Sequence, residues 1–224
     1  MTDFMSAFRS KMVDRHTSSQ IPLRGKRVER RPEDRPIGTW YPSSTDVVRF
    51  LIETKKVHKA LRAGVHENTR PEYLYLRDVE MGTVAAMDRD IACILLETDA
   101  DPVTFYSPGK QYATYLNDLA RTEPTLFLAH YYAIYFAHAS GGGLIGRRVE
   151  DVLSLSLPLE TYQYPKSKDL NDMKDHMYSV SSKWSSKECE KTVEEVDTIF
   201  AYANRLLRIL AFSSITEDHG LIDM

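Results

Sequence analysis

The residues with the clearest chemical potential lie in one apolar stretch that holds two histidines and three consecutive glycines. His130 and His138 sit among apolar and aromatic side chains, and Gly141, Gly142 and Gly143 follow. Eight residues separate the histidines, which places them within about 80° of each other around a helix. Because imidazole binds metals and carries protons near neutral pH, both could serve one interior site. The alternative is that each is a core histidine bonded to a carbonyl.

The glycine run predicts a helix that bends where its main chain is bare. Each interior glycine costs about 1 kcal/mol relative to alanine, so three together imply close approach of something large and flat. Apolar spacing resumes at Leu144, Ile145 and Val149, which favours one kinked helix over 127–154. The alternative is that Gly141 ends one helix and a second begins at Leu144.

The elements that position these residues are predicted to be helices of a single all-α domain over 1–224. The chain has 224 residues, 42% of them hydrophobic, enough for one sizeable core, and strand alternation is absent. Residues 24–40 predict a basic, exposed connection. The other helices are expected at 4–16, from a cap within 42–45 to Leu61, from Pro71 to Leu96, at 112–119, at 169–184 and from a serine cap at 185 or 186 to 212.

Composition excludes several classes of protein. A net charge of −3, from 29 basic and 32 acidic residues, argues against a nucleic-acid surface over the whole molecule. No apolar run reaches the length of a membrane span. Cys93 and Cys189 have no CxxC or metal spacing, so we expect unpaired thiols, a reducing compartment and no zinc site. No glycine motif for a flavin or nicotinamide follows a strand, so electrons must come from outside.

The stretch 130–149 resembles the distal-helix signature of heme oxygenases, specifically the plant and algal plastid type. Residues 8–20 resemble that family's proximal helix, in which a His-Thr pair supplies the iron ligand. The Arg-Pro, Trp, Pro and Arg-Phe-Leu elements of 35–51 are similar to the family's, as is the Ser-Pro-Gly segment within 107–116. The likeness runs in order over nearly the whole chain.

This resemblance implies a fold in which heme lies between a proximal helix and a glycine-kinked distal helix. It implies oxidative opening of heme to biliverdin, with release of iron and carbon monoxide, using O2 and external electrons. Heme is then both cofactor and substrate. The implied location is the plastid stroma, as a mature form without a transit peptide.

On the proximal side, the resemblance replaces the two embedded histidines as ligand candidates. His16 matches the family's iron ligand, and Gln20, one turn later, stands where many relatives have a glutamate that accepts from the other ring nitrogen. Arg9, Tyr132 and Lys174 match positions that hold the heme propionates. We expect a further residue, Phe200, at the heme edge.

On the distal side, His138 stands where animal relatives have a water-organising aspartate, and plant-type relatives share the histidine. Its pKa of about 6.5 suits proton relay. Gly141 and Gly142 are expected over the iron, where bare main chain tilts bound O2 toward the ring edge. Gly143 stands where plant relatives often have arginine.

The expected partners are heme, O2, reduced ferredoxin as electron donor and a bilin reductase, with no nucleic acid and no membrane, and the chain is expected to be a monomer. An acidic ferredoxin could dock on the basic cluster between Arg24 and Arg35, or on Lys55, Lys56 and Lys59. Three rival interpretations stay open: a catalytically degenerate tetrapyrrole-binding relative, a thiaminase-like enzyme that would need a pocket cysteine, and a structural helical module.

Overall fold

Helices make up most of the chain in the computed structural model, which describes residues 4–18, 31–79, 84–101, 107–163 and 167–211. No strand occurs within these ranges, and the predicted all-α class is confirmed. The α-helices of the described part are α1 Phe4–Ser18, α2 Ser44–His66, α3 Val84–Glu97, α4 Pro108–Thr122, α5 Pro124–Ala137, α6 Gly143–Leu153, α7 Ser167–Ser181, α8 Ser186–Glu194 and α9 Val196–Ala211. Within the same ranges, no helix is both long and apolar enough to cross a membrane.

Serine caps start two of the helices where the sequence predicts them. The Ser43 hydroxyl accepts from the Asp46 amide at 3.2 Å, and the Asp46 carboxylate accepts from the Ser43 amide at 3.0 Å. Ser185 and Glu188 make the same reciprocal pair at the start of α8. Each pair satisfies amides that a helix start leaves without partners.

The central helix α2 packs against α3, α4 and α9. Its tightest crossing is with α4, where a side chain at Gly109 would place Cβ 2.1 Å from the Glu53 carbonyl oxygen. The buried Glu53 carboxylate accepts from the Ser107 hydroxyl at 2.7 Å and the Gly109 amide at 2.8 Å. The Ser-Pro-Gly segment therefore docks the start of α4 on α2.

The helix predicted from Pro71 to Leu96 is wrong in its first part. The chain forms two 3-10 turns, Pro71–Tyr73 and Tyr75–Arg77, where the prediction has continuous helix, and α3 is Val84–Glu97. Tertiary contacts explain the difference, since Tyr73 is fully buried and the Arg77 guanidinium donates to the Asn68 carbonyl at 2.7 Å. Such contacts outweigh local helix propensity.

The long last helix predicted to Phe212 is also interrupted. It divides at Glu195 into α8 and α9, and the Glu195 carboxylate accepts from the interior residues His130 and Tyr115. The helix is therefore interrupted at the residue whose carboxylate binds these two interior side chains. The end of the predicted helix, from 212 onward, lies outside the described residues.

The helix that bears the glycines continues through a π-helical turn. Helix α5 passes into the π turn His138–Gly142 and then directly into α6. The Ser140 hydroxyl donates to the Phe136 carbonyl at 2.6 Å, next to the wider turn. A π turn inside an α-helix changes the direction in which later residues face, and such turns are frequent at functional sites.

Candidate functional site

His16 lies in the last turn of α1 and is exposed. Its ring is nearly perpendicular to that of Phe200 in α9, with the ring centres 5.6 Å apart. The structure therefore brings together two residues that the sequence places far apart, an accessible imidazole and an aromatic wall. Gln20, the expected neighbour of this imidazole, lies outside the described residues.

Two cations and three aromatic rings form a second group, here called the cationic edge: Arg9, Tyr132, Phe136, Lys174 and Tyr178. The Arg9 guanidinium donates to the Tyr132 hydroxyl at 3.4 Å and lies 5.4 Å from the Tyr178 ring centre. The Lys174 ammonium is 5.8 Å from the Phe136 ring centre, and the Tyr132 and Phe136 rings are 4.4 Å apart. Cations so placed can bind carboxylates by charge-assisted hydrogen bonds.

His138 occupies the first position of the π turn and is held in one tautomer. Its Nε2 lies 2.8 Å from the Thr161 carbonyl oxygen, which can only accept, so Nε2 carries the proton and Nδ1 is an acceptor. Burial lowers the pKa of His138, and the bond to Thr161 only partly offsets that effect. The ring is therefore neutral at pH 7, and it stacks on Tyr162 with 5.6 Å between ring centres.

The absence of a side chain has a different structural reason at each of these glycines. A Cβ at Gly141 would meet nothing within 4 Å, whereas a Cβ at Gly142 would lie 2.8 Å from the Tyr162 ring. Gly146 has the same constraint, at 2.7 Å from that ring. Bare main chain at Gly141 thus faces open space, while Gly142 and Gly146 make room for Tyr162.

A cation lies near Gly143. The Arg147 Nη1 atom lies 3.6 Å from the position that a Cβ of Gly143 would occupy. Arg147 comes from one turn further along the same helix, so its guanidinium lies beside Gly143.

His58 is a buried neighbour of His138 that the sequence did not predict. It is buried in α2, its ring centre is 5.7 Å from that of His138, and its Nδ1 has no hydrogen-bond partner among the described residues. Burial, with a smaller effect of His138, lowers its pKa to about 3. The sequence carries a signal for its burial, because Leu51, His58 and Val65 recur every seven residues on one buried face of α2.

His130 belongs to the core and not to this site, which corrects the idea that both embedded histidines face one interior. Its Nδ1 accepts from the Tyr112 hydroxyl at 2.6 Å, and its Nε2 donates to Glu195 at 3.0 Å. The Tyr115 hydroxyl donates to the same carboxylate oxygen at 2.6 Å. Burial lowers the pKa of His130 against the pull of Glu195, so a neutral imidazole joins α4, α5 and the start of α9. Its acceptor is a carboxylate, and not the carbonyl that the alternative interpretation assumed.

The described residues fit a heme better than a bare metal ion. No three His, Cys, Asp or Glu side chains in the described part are grouped to hold a metal ion alone. A porphyrin supplies four nitrogens itself and needs one axial imidazole, cations for its carboxylates and a flat, unobstructed face. His16, the cationic edge and the bare Gly141 offer these three features.

Comparison with known proteins gives consistent matches along the chain. A family model described as heme oxygenase matches residues 48–208. Heme oxygenase 1, chloroplastic, of Arabidopsis thaliana is 28% identical over 209 residues, which are 92% of this chain and 73% of that protein. A relative from Oryza sativa named probable inactive heme oxygenase 2, chloroplastic, is 30% identical over 175 residues, 77% of this chain and 53% of that one.

Solved structures show the same fold. Heme oxygenase-1 of the cyanobacterium Synechocystis, in complex with heme, aligns with a TM-score of 0.70 at 14% identity over 99% of this chain and 98% of its own. Heme oxygenase 2 of Chlamydomonas reinhardtii, without heme, aligns with a TM-score of 0.73 at 16% identity over 93% of this chain and 97% of its own.

Proposed function

We propose that this chain, which belongs to the heme oxygenase family and binds heme, opens heme to biliverdin with release of iron and carbon monoxide. When bound, heme supplies both the iron that activates O2 and the ring that is opened. The observation that carries the proposal is the pairing of an accessible His16 with Phe200, at 5.6 Å between ring centres.

The proximal residues bind and orient the substrate. His16 would hold the iron through an imidazole nitrogen, and Phe200 would pack against the ring edge. Arg9 and Lys174 would bind the propionates, with the Tyr132 hydroxyl beside Arg9. Gln20 keeps its expected role as acceptor for the second nitrogen of the ligand imidazole.

The distal residues control access and protons. Gly141 has no side chain, and the space beside it is open, so a flat ring can approach its main chain closely. Gly142 lies next to it in the π turn. Nδ1 of His138 is an acceptor that can hold a water molecule, since Nε2 donates to the Thr161 carbonyl.

His138→Ala is therefore expected to slow turnover and to shift the pH of the acid–alkaline transition of the ferric spectrum. Unchanged turnover together with an unchanged transition would reject this role.

Reconstitution with hemin tests the ligand and the reaction together. One equivalent should give a sharp Soret band that bleaches under O2 and a ferredoxin reducing system while bilin absorbance rises. His16→Ala should lose the native iron coordination, because the axial imidazole is gone. His66→Ala, which removes another exposed histidine in the last turn of a helix, is the matched control and should keep the wild-type Soret band and hemin stoichiometry.

A second candidate function is tetrapyrrole binding without turnover. A relative that is 30% identical is named probable inactive, which is the observation that favours it. The presence of His16 supports turnover, because loss of this ligand would be the simplest route to inactivity. Stoichiometric hemin binding without bilin formation, under any electron donor, would establish the binding function instead.

Reduced ferredoxin is the electron donor that we propose. Of the α2 lysines considered for docking, Lys55 is paired with Asp88 and Lys56 with Glu53, whereas Lys59 is exposed beside Arg62, one turn on. An exposed pair of cations suits an acidic partner. The other proposed cluster begins at Arg24 and lies mostly outside the described residues.

Charge reversal tests this docking surface. Lys59→Glu with Arg62→Glu should raise the ferredoxin KM and reduce its dependence on salt, while turnover with a small chemical reductant stays unchanged. Lys183→Glu with Lys187→Glu reverses two exposed lysines elsewhere and should have no such effect. Salt-insensitive turnover of the wild type with ferredoxin would reject electrostatic docking.

The proposed location rests on the names of the relatives. Because matched relatives are chloroplastic heme oxygenases, we place the protein in the plastid, in the stroma, where a bilin reductase would consume biliverdin. We propose that it acts as a monomer. Plastid fractionation and light scattering of the purified chain check both points.

A further inference from the structure

The turn that holds His138 is itself held by a buried carboxylate from another helix. Asp90, in α3, is 4% exposed. Its Oδ1 accepts from the Glu160 amide at 2.9 Å and its Oδ2 accepts from the Thr161 amide at 2.8 Å. One carboxylate thus satisfies two consecutive amides at the start of the 3-10 turn Glu160–Tyr162, 70 residues away along the chain.

This turn makes the hydrogen bond and one of the two ring contacts of the His138 imidazole. The Thr161 carbonyl accepts from Nε2 at 2.8 Å, and the Tyr162 ring stacks on the imidazole. The same Tyr162 ring fills the space that side chains at Gly142 and Gly146 would need. A shift of the turn would therefore move both the Thr161 carbonyl, which binds the imidazole, and the Tyr162 ring, which packs against the π turn.

Other contacts to this segment are weaker candidates for the same task. The Glu97 carboxylate accepts from the Ser156 amide at 3.2 Å, and Glu150 accepts from the Leu159 amide at 2.9 Å, both before the turn itself. Arg89 pairs with the Glu160 side chain at 2.6 Å, but the two groups are 60% and 46% exposed. Exposed pairs of this kind contribute little. Asp90 alone among these groups is buried and bonded to the amide of Thr161.

We propose that Asp90 is a positioning residue for the heme reaction. It fixes the 160–162 turn so that the Thr161 carbonyl selects the Nε2–H tautomer of His138 and leaves Nδ1 as an acceptor beside the π turn. Nδ1 lies 3.7 Å from the position of a Gly142 Cβ, so this acceptor faces the glycine segment. The inference rests on the distal role proposed for His138, while the tautomer itself is a property of the heme-free protein.

The variant Asp90→Asn tests the claim with little change of volume. The amide keeps one acceptor but turns an NH2 group toward one of the two backbone amides, so one of the two bonds is lost. The measurement is the long-range 1H–15N spectrum of the His138 ring in the heme-free protein. Wild type should show one protonated nitrogen, Nε2. In the variant, the ratio of the Nε2–H to the Nδ1–H tautomer should fall about tenfold, the change that the loss of one hydrogen bond produces.

A second readout uses the hemin complex. Asp90→Asn should shift the acid–alkaline transition of the ferric spectrum in the same direction as His138→Ala, with hemin affinity retained. The matched controls are Asp88→Asn, an aspartate on the same helix that is 54% exposed, and Arg89→Ala, which removes only the exposed pair. Both controls should keep the wild-type tautomer and transition.

An unchanged His138 tautomer in folded Asp90→Asn would overturn the proposal. If that variant does not fold, hydrogen exchange of the unaltered protein decides, since fast exchange at the Glu160 and Thr161 amides would equally overturn it. The distal role of His138 fails separately. An altered His138 tautomer in Asp90→Asn, together with unchanged turnover in His138→Ala, would show that Asp90 positions the turn but that His138 takes no part in the reaction.

Discussion

Gly141 and Gly142 are adjacent, yet their missing side chains have different physical reasons. Nothing lies within 4 Å of a Cβ built on Gly141, and Tyr162 lies 2.8 Å from one built on Gly142. A pair of single alanine substitutions therefore separates the needs of the substrate from the needs of the fold. The same turn contains both, so their local helical surroundings are closely matched.

We predict that Gly141→Ala keeps or raises thermal stability but weakens hemin binding, because alanine favours a helix by about 1 kcal/mol while its methyl group occupies the open face. Gly142→Ala should instead lower the melting temperature, since Tyr162 must move. Thermal unfolding of the heme-free variants and hemin titration measure the two effects. Wild-type hemin affinity and turnover in Gly141→Ala would contradict the assignment.

At the scale of elements, the α2–α4 crossing depends on one point of backbone contact. The Gly109 amide donates to the buried Glu53 carboxylate, and its Cα faces the Glu53 carbonyl so closely that a Cβ would lie 2.1 Å away. A flexible side chain could yield to such a clash, but helix backbone cannot. The separation of these two helices is therefore set by glycine.

We predict that Gly109→Ala destabilises the protein by more than about 3 kcal/mol, because α4 must move off α2. This movement strains the hydrogen bonds that Ser107 and Gly109 donate to Glu53. Chemical denaturation measures the loss. Gly38→Ala is the control, since a Cβ there would meet nothing within 4 Å, and it should change stability by less than about 0.5 kcal/mol. Equal stability of the two variants would contradict a backbone contact at the crossing.

At the scale of the whole molecule, buried neutral histidines make stability sensitive to acid. Burial lowers the pKa of His58, His130, His138 and His176 in the folded chain. The unfolded chain takes up protons near pH 6.5 and the folded chain does not, so these groups stabilise the fold above about pH 6.5 and lose that contribution as the pH falls. Carboxylates with lowered pKa values, such as Glu33, add a further loss below about pH 4.5.

We predict that the free energy of unfolding falls steadily between pH 6.5 and pH 5, by up to about 1.4 kcal/mol per pH unit for each such histidine. His58→Gln should reduce this slope by about one proton, because the pKa of His58 is lowered to about 3. Urea unfolding across this range, compared with His66→Gln at an exposed position, measures the difference. A slope that is the same in both variants would contradict a buried neutral His58.

Much of the architecture could be predicted because its causes are local. The caps at Ser43 and Ser185 follow from side chains three residues apart, and the π-helical interruption at His138–Gly142 falls where the consecutive glycines predict a break. That His16 and Phe200 both belong to a heme site was expected only through the family resemblance, and their contact comes from the tertiary structure. Nothing in its own neighbourhood distinguishes His16 from any other histidine at a helix end.

The sequence by itself determined the helical class, the position of the interruption in the distal helix and the membership of the heme oxygenase family, since periodicity, capping and motifs are properties of neighbouring residues. Only the tertiary structure decided that His130 joins core helices, that His58 lies beside His138, and that Tyr162 explains Gly142. These facts depend on contacts between residues that are distant along the chain, where the packing of one helix on another selects which side chains meet.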